Sequence, residues 1–273
     1  LLEYEKYSEF NFDICIVDSD SIDGTKEYCR NLVNNKEINS FIEVDNLSEK
    51  FSSRIERLMV SRNKGLDYIN DKIKNPALYI PMDMDLDLFS LIEFSKFEKI
   101  INDFIHSESD GIFPYSTPYY YDIFALRKKG WVNGNNLLIS RNLKKKYLLI
   151  SFLTNYFLIF RKQKHIDSFD SKPIKVESAF GGMGIYKIYP DTFRYARYDL
   201  NREEIDFYSE HLYFNKNFKN LFISKEWNIE SPIYYTFFNS HNYIKKFIYI
   251  LRSLKNDFKN LYLKINKRKN TLS

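Results

Sequence analysis

The sequence predicts an α/β fold: a mixed, mostly parallel sheet flanked by helices, followed by a C-terminal amphipathic helix. Three observations predict it. Apolar runs of strand length, Asp13–Val17, Leu78–Met82 and Asp110–Tyr115, alternate with segments of helical periodicity. The first two runs stop abruptly in aspartates, where open α/β sheets bind ligands beyond the carboxyl ends of their strands. The chain has 273 residues, 44% of them hydrophobic, which is enough to bury a full core.

Bulk features narrow the setting. No run reaches the ~20 apolar residues of a membrane span, and no secretory pattern opens the chain. Cys15 falls in a strand and Cys29 in the following helix, which reads as two buried thiols rather than a bridge or a metal site. A reducing compartment fits, so a cytoplasmic protein is expected. Charge divides the chain in two. From Asn242 on there are nine Lys/Arg against one acid, Asp257, while the rest holds 32 Lys/Arg and 35 Asp/Glu. The expected division is therefore a slightly acidic α/β domain over 1–238 and a basic helical tail over 239–273.

In order, Leu1–Phe10 reads as the end of a helix and Asp13–Val17 as a buried strand. Asp18–Thr25, DSDSIDGT, is a cluster of turn formers with Gly24 free to take a strained geometry, and Gly24–Asn34 resumes a helix. A strand that ends in acids and turns into a helix suits a ribonucleotide, whose base N–H or ribose hydroxyls a carboxylate can bind. A solvated turn reads equally well. Phe41–Val44 is a short strand. Leu47–Ile73 has one apolar stripe through Phe51, Ile55, Leu58, Met59, Leu66, Ile69 and Ile73. Arg62 is eleven residues after Phe51, about 20° away around a helix, so it points along the packed face. A guanidinium there needs an anionic or polar partner, either a structural ion pair or a nucleotide.

The run Ala77–Asp87, ALYIPMDMDLD, ends in Asp83, Asp85 and Asp87. While the chain is extended, Asp83 and Asp85 point the same way and can share one hard cation. Mg2+ or Mn2+ on one or two carboxylates takes its other ligands from phosphates and water. An exposed acidic turn is the plain alternative. An EF-hand is excluded, since its sixth and twelfth positions would be Leu88 and Phe94 instead of Gly and Glu. A haloacid-dehalogenase-type phosphatase also starts from D-x-D, but near its domain's start and with Thr where Asp87 stands.

These segments resemble the GT-A-type glycosyltransferases, including the family-two-like and the capsule or lipopolysaccharide transferases. Those enzymes follow a strand ending in V-D-D-G-S-x-D-G-T with a helix containing A-R-N-x-G-L and then a D-x-D motif. Here the counterparts are DSDSIDGT, SRNKGLDYI (Ser61–Ile69) and DMD, in the same order. The resemblance implies a GT-A-like, Rossmann-like sheet. It implies that Asp18 and Asp20 contact uracil or ribose, that Arg62 contacts the nucleotide, and that Asp83 and Asp85 hold ribose, metal and diphosphate. The family's opening strand, of the type V-S-V-I-I-P, has no counterpart before Leu1–Phe10, so a missing N-terminal strand is expected.

Further on, Leu91–His106 reads as a helix and Asp110–Tyr115 as a strand. Ser116–Asn136 crowds Tyr119, Tyr120, Tyr121, Asp122, Arg127 and Trp131. Tyr121, Asp122 and Trp131 suit a sugar wall for donor or acceptor, with a plain aromatic core as the alternative. YYYDIFALR also resembles the Y-D-x-x-A-L-R segment of capsule and lipopolysaccharide transferases. Tyr147–Phe160, a fourteen-residue apolar run between KKK and RKQK, is too short to span a bilayer. It reads as a core helix or as an in-plane membrane helix.

Lys175–Ile188, KVESAFGGMGIYKI, lets backbone approach a neighbour closely at Gly181 and Gly182, or simply makes a tight hairpin. In the family such a Gly-rich segment lies against the donor sugar. Tyr208–Phe214, YSEHLYF, resembles the family's C-E-H-V-x-F acidic motif, with Ser209 replacing Cys. That makes Glu210 the general base and His211 a metal ligand or orienter, with His241 a rival ligand near the domain's end. Leu221–Ser224 and Pro232–Phe238 read as strands. The tail, Asn242–Lys269, spaces its apolar residues helically with lysines opposite, which suits packing or an anionic membrane surface.

The expected function is metal-dependent transfer of a sugar, with Mn2+ or Mg2+, from a UDP- or GDP-linked donor. The acceptor would be a hydroxyl of a glycan, lipid-linked or protein molecule, with inversion and Glu210 as base. A nucleotidyltransferase on the same nucleotide and metal site, and a non-catalytic GT-A-like binding protein, are the alternatives. Peripheral membrane contact through the tail is expected. No recognised motif supports nucleic-acid binding, and none is expected.

Overall fold

The structure is a computed structural model that describes residues 8–72, 78–84, 93–147, 150–163, 172–188, 194–195, 204–232, 248, 250–259 and 262. Asp85, His241, and the expected elements at Leu1–Tyr7 and Ile233–Phe238 lie outside the described residues.

The described residues form a mixed α/β structure with two small sheets and no closed barrel. In the first sheet β1 (Cys15–Asp18) runs parallel to β2 (Ser40–Glu43). Between them lies α1 (Thr25–Asn34), which turns its buried Cys29 and Leu32 inward. Cys15 is half-buried, and both thiols are free. The second sheet contains β3 (Gly111–Thr117), β4 (Ile174–Val176), β5 (Ile185–Tyr186) and β6 (Leu221–Glu230), in the order β4-β6-β3-β5. β3 and β6 are parallel, whereas β4 and β5 run antiparallel to their neighbours. The sheets are thus mixed in equal measure rather than mostly parallel.

Leu78–Met82 is less regular than its apolar run predicts. It bridges only at Tyr79 to Tyr186 and at Met82 to Met183, both antiparallel. Pro81 lies between the two bridges and has no N–H for a ladder, although its carbonyl accepts from Gly184 N at 3.2 Å. The stretch therefore points the same way as β3 and β6, and Asp83 stands at its carboxyl end. The Gly-rich segment is not a hairpin. Its flanking strands β4 and β5 occupy opposite edges of the sheet.

The expected helix Leu47–Ile73 is broken. α2 (Leu47–Lys50) stops at Phe51, which is extended, and α3 (Arg54–Lys72) starts afresh. Ser53 Oγ accepts from Glu56 N at 3.3 Å, and S-x-x-E is a helix-start signal that outweighs the apolar stripe here. Apolar side chains of α3 (Ile55, Met59, Leu66) pack with Tyr79, Phe113, Tyr115, Tyr186 and Phe214. On the sheet's other face lies α4 (Phe94–Ile105), whose Phe97, Ile100, Ile101 and Phe104 meet Ile112, Ile185, Trp227 and Ile229. Alternation along β3 sends Phe113 and Tyr115 one way and Ile112 the other.

β6 serves both faces because its register with β3 slips. Gly111 pairs with Leu221, but Tyr115 pairs with Asn228. The slip is three residues, an odd number, so it swaps the faces. Leu221 and Ile223 join the α3 side, Trp227 and Ile229 the α4 side. α5 (Asn136–Lys146), α6 (Ser151–Leu158) and helical residues 250–259 complete the described structure, together with α7 (Glu210–Asn215). Among the described residues no helix is long and apolar enough to cross a membrane.

Gly184 packs where a side chain has no room. An added Cβ would lie 2.8 Å from the Tyr186 ring and 3.2 Å from that of Phe113, and both rings are fully buried. Gly184→Ala is expected to cost about 1–3 kcal/mol of overpacking strain, read as a lowered urea midpoint; an unchanged midpoint would mean the rings give way freely.

Candidate functional site

Three distant segments meet at Arg62. Its Nε donates to Glu210 Oε1 at 3.0 Å and its Nη2 to Asp83 Oδ1 at 2.8 Å. The guanidinium side chain is 11% exposed and Glu210 5%, whereas Asp83 keeps 33% of its side chain open. Burial alone would lower the Arg62 pKa, but the charges of Glu210 and then Asp83 outweigh it and hold the group above its ordinary value. Aromatic faces complete the enclosure. The Arg62 guanidinium lies 4.9 Å from the Phe180 ring and 5.7 Å from that of Tyr195.

Each partner is positioned by local structure. α3 is tied at its start by Ser53 Oγ donating to Asp206 at 2.6 Å, just ahead of α7. One turn into α3 beyond Met59, Asn63 pins Tyr195 twice, donating to its carbonyl at 2.7 Å and accepting from its N–H at 2.9 Å. Ser209, which stands where the motif has Cys, caps α7 by accepting from His211 N at 3.3 Å. Asn215, at the far end of α7, donates to Ser178 Oγ and to the Ala179 carbonyl, each at 2.9 Å. Its side-chain oxygen accepts from the Tyr186 hydroxyl, also at 2.9 Å. This buried amide locks Glu210 and His211 to the Gly-rich segment.

Gly181 and Gly182 have φ of +71° and +86°, the left-handed region that favours glycine. The turn they make lets Gly182 O accept from Asp83 N at 2.8 Å. Asp122 closes the same turn: its Oδ2 accepts from Gly181 N at 2.8 Å and its Oδ1 from Ala125 N at 3.1 Å. Burial raises its pKa, the Gly181 and Ala125 N–H groups oppose that, and the charges of Asp83 and Glu210 add to it. Asp122 is thus built into the turn rather than presented as a sugar wall.

His211 is 2% exposed and stacks on Phe180 with ring centroids 3.5 Å apart. Neither ring nitrogen has a hydrogen-bond partner. Nε2 approaches Glu210 Oε1 at 3.3 Å without a hydrogen-bonding angle. Burial, then the positive charge of Arg62, holds its pKa well below the ordinary histidine value, so the imidazole is neutral. An unpartnered buried nitrogen and a half-open carboxylate, Asp83, are donor types that suit a divalent cation. Among the described residues no group of three or more His, Cys, Asp or Glu converges as a ready metal site.

The remaining sequence candidates are placed as follows. Asp18 accepts from the Ser21 hydroxyl and Asp20, at φ +62°, from Ser48 N at 2.7 Å. The Ser48 N–H lowers the Asp20 pKa, and this half-buried residue's carboxylate caps α2. Trp131 is 1% exposed and its indole N–H donates to the Lys162 carbonyl at 2.6 Å, which commits it to the core. Tyr121 is half-buried, its carbonyl accepting from Gln163 Nε2 at 3.4 Å. Sequence reasoning missed Phe180, Tyr195 and Asn215. Only the FGG context of Phe180 marks any of them.

No protein-family model matches the chain, and no curated protein or solved structure matches it either. The site's own geometry carries the functional argument.

Removing the cation from this enclosure leaves two carboxylates facing each other. Arg62→Met is therefore expected to destabilise the fold by about 3–5 kcal/mol, measured by urea unfolding; a loss below about 1 kcal/mol would mean that solvent screens the pair. His211 gives a pH signature. The unfolded imidazole binds a proton as pH falls through about 6.5, while the folded one stays neutral. Stability from this group is whole above that pH and declines below it by about 1.4 kcal/mol per unit. His211→Leu should flatten that slope in chelator-treated protein, and an unchanged slope would contradict the burial of a neutral ring.

Proposed function

We propose that the chain is a metal-dependent glycosyltransferase with a GT-A-like domain, acting on a nucleotide diphosphate sugar and a hydroxyl acceptor. The observation that carries the reading is Arg62, bonded at once to Asp83 of the DMD stretch and Glu210 of the acidic motif. Arg62, Asp83 and Glu210, far apart in the chain, thereby meet at one site, while Asp18 and Asp20 bond Ser21 and Ser48 instead. Strand direction also supports the fold: the stretch before Asp83 runs with β3 and β6, with antiparallel β5 between.

Within this reading, Asp83 and Asp85 would hold the cation, with His211 as a further donor. Mn2+ or Mg2+ there would supply Lewis acidity to the departing diphosphate. Arg62 offers a planar fork suited to phosphate oxygens. A diphosphate beside Asp83 competes with both carboxylates for that fork. Drawing Arg62 away frees Glu210, which must come within ~3 Å of the acceptor hydroxyl to take its proton. Asp18 and Asp20 would face the base or ribose, and Gly181–Gly182 would let backbone approach the sugar. A carboxylate base so positioned favours direct displacement with inversion. The acceptor is a glycan, lipid-linked or protein hydroxyl.

The test is a panel of nucleotide sugars with and without Mn2+, read by melting temperature and by released nucleoside diphosphate. One donor should raise the melting temperature strongly only with metal. Glu210→Gln should lower turnover about 10²- to 10⁴-fold while donor binding persists, and Asp85→Ala should abolish transfer. Pyrophosphate as product would assign nucleotidyl transfer instead, and no response to any donor would remove the enzymatic reading.

A further inference from the structure

The three helices outside the sheet core are inside out. In α5, α6 and residues 250–259 the fully buried side chains are polar: Ser140, Thr154, Ser253 and Asp257. Ser140 and Asp257 bond between the helices, whereas the Thr154 hydroxyl donates within its own, to the Ile150 carbonyl at 3.1 Å and that of Ser151 at 3.0 Å. Ser140 Oγ donates to Asn155 Oδ1 at 3.0 Å, and Lys144 Nζ to the same oxygen at 2.6 Å. Ser151, at the start of α6, donates its N–H to Asp257 at 3.1 Å and its hydroxyl to the other carboxylate oxygen. Apolar side chains face outward at Ile139, Leu153, Phe157, Leu251, Leu254 and Phe258, while Leu137, Leu138, Leu143, Phe152, Tyr156 and Leu158 are part-buried. Of the fourteen exposed large hydrophobics among the described residues, six lie in these helices and three, Tyr147, Ile248 and Tyr262, flank them; Leu153, Phe157, Leu251, Leu254 and Phe258 are 38–58% exposed. Leu251, Leu254 and Phe258 are three and four apart, hence one stripe.

A helix on a water-soluble core turns its apolar stripe inward. Small polar residues between helices with apolar ones outside is the arrangement of helices against lipid. Charge agrees. Residues 136–163 hold six Lys/Arg and no acid, and the one acid of the tail, Asp257, is buried against Ser151. Lys145, Lys146, Arg161, Arg252, Lys255 and Lys259 are exposed around the stripes. No described helix is long and apolar enough to span a bilayer, so the face lies in its plane.

We propose that α5, α6 and the helix through 250–259 form one membrane-contact face that rests on anionic lipid. The occupant follows from the chemistry. A second copy would set these cations against themselves, and nucleic acid offers no use for an apolar stripe. An acidic headgroup layer over acyl chains satisfies both features. The face includes the α5–α6 pair as well as the basic tail, and it stands independently of the transferase reading.

The full chain should float with phosphatidylcholine–phosphatidylglycerol vesicles and not with pure phosphatidylcholine vesicles, and added salt should weaken the association. Leu254→Glu with Phe258→Glu should lower binding about tenfold or more at an unchanged melting temperature, since both side chains are exposed. Absent flotation, equal flotation on neutral vesicles, undiminished binding by the double variant, or a dimer that the double variant dissolves would each overturn the proposal.

Discussion

A guanidinium taken almost wholly out of water obliges its surroundings to supply anions, and this obligation shapes the centre of the molecule. Arg62 contacts Asp83 across the end of the irregular stretch and Glu210 at the first residue of α7. Glu210, 5% exposed, could not remain so enclosed without it. Around the trio, each polar constraint has a partner that fixes backbone: Asn63 on Tyr195, Asn215 on the 178–179 backbone and hydroxyl, and Asp122 on the glycine turn. These bonds are made by short side chains to main chain or to buried groups, and they fix the backbone around Arg62.

The same arrangement gives the site an uneven accessibility. Asp83 keeps a third of its side chain open, while Glu210 and His211 are sealed behind Phe180 and Tyr195. An anion entering from the open side meets Asp83 and the Arg62 fork before it meets Glu210. The glycine turn is the neighbour best able to shift, since Gly181 and Gly182 carry no side chains, although Asp122 and Asp83 both hold its backbone.

Much of this was legible in the sequence, and the failures have physical causes. An arginine on an apolar helix stripe must be paired, so a polar or anionic partner for Arg62 could be read in advance; that the partners are Asp83 and Glu210 could not. A carboxylate among tyrosines reads as ligand chemistry, and nothing in sequence reveals that Asp122 also accepts from the Gly181 and Ala125 N–H groups. The break at Phe51–Ser53 had a visible signal, Ser53-x-x-Glu56, that the longer apolar period overrode. Pro81 likewise announced that its strand would pair poorly. The odd register slip in β6 had no signal, because it arises only when β3 is laid beside it.

The inverted helices mark a deeper limit. Periodicity reports that a helix has two faces, not which face meets protein. For Tyr147–Phe160 the apolar content spoke for a core helix, yet Thr154 is the side chain that α6 buries. What decides the matter is the neighbour: Ser140 with Asn155 and Ser151 with Asp257 make bonds that apolar side chains could not, and Leu153, Phe157, Leu251, Leu254 and Phe258 turn out. Three bonds then join this unit to the rest: Trp131 to the Lys162 carbonyl, Gln163 to that of Tyr121, and Asn135 to that of Phe207, just ahead of Glu210. The last of these ties the N-terminus of α5 to the chain three residues ahead of Glu210.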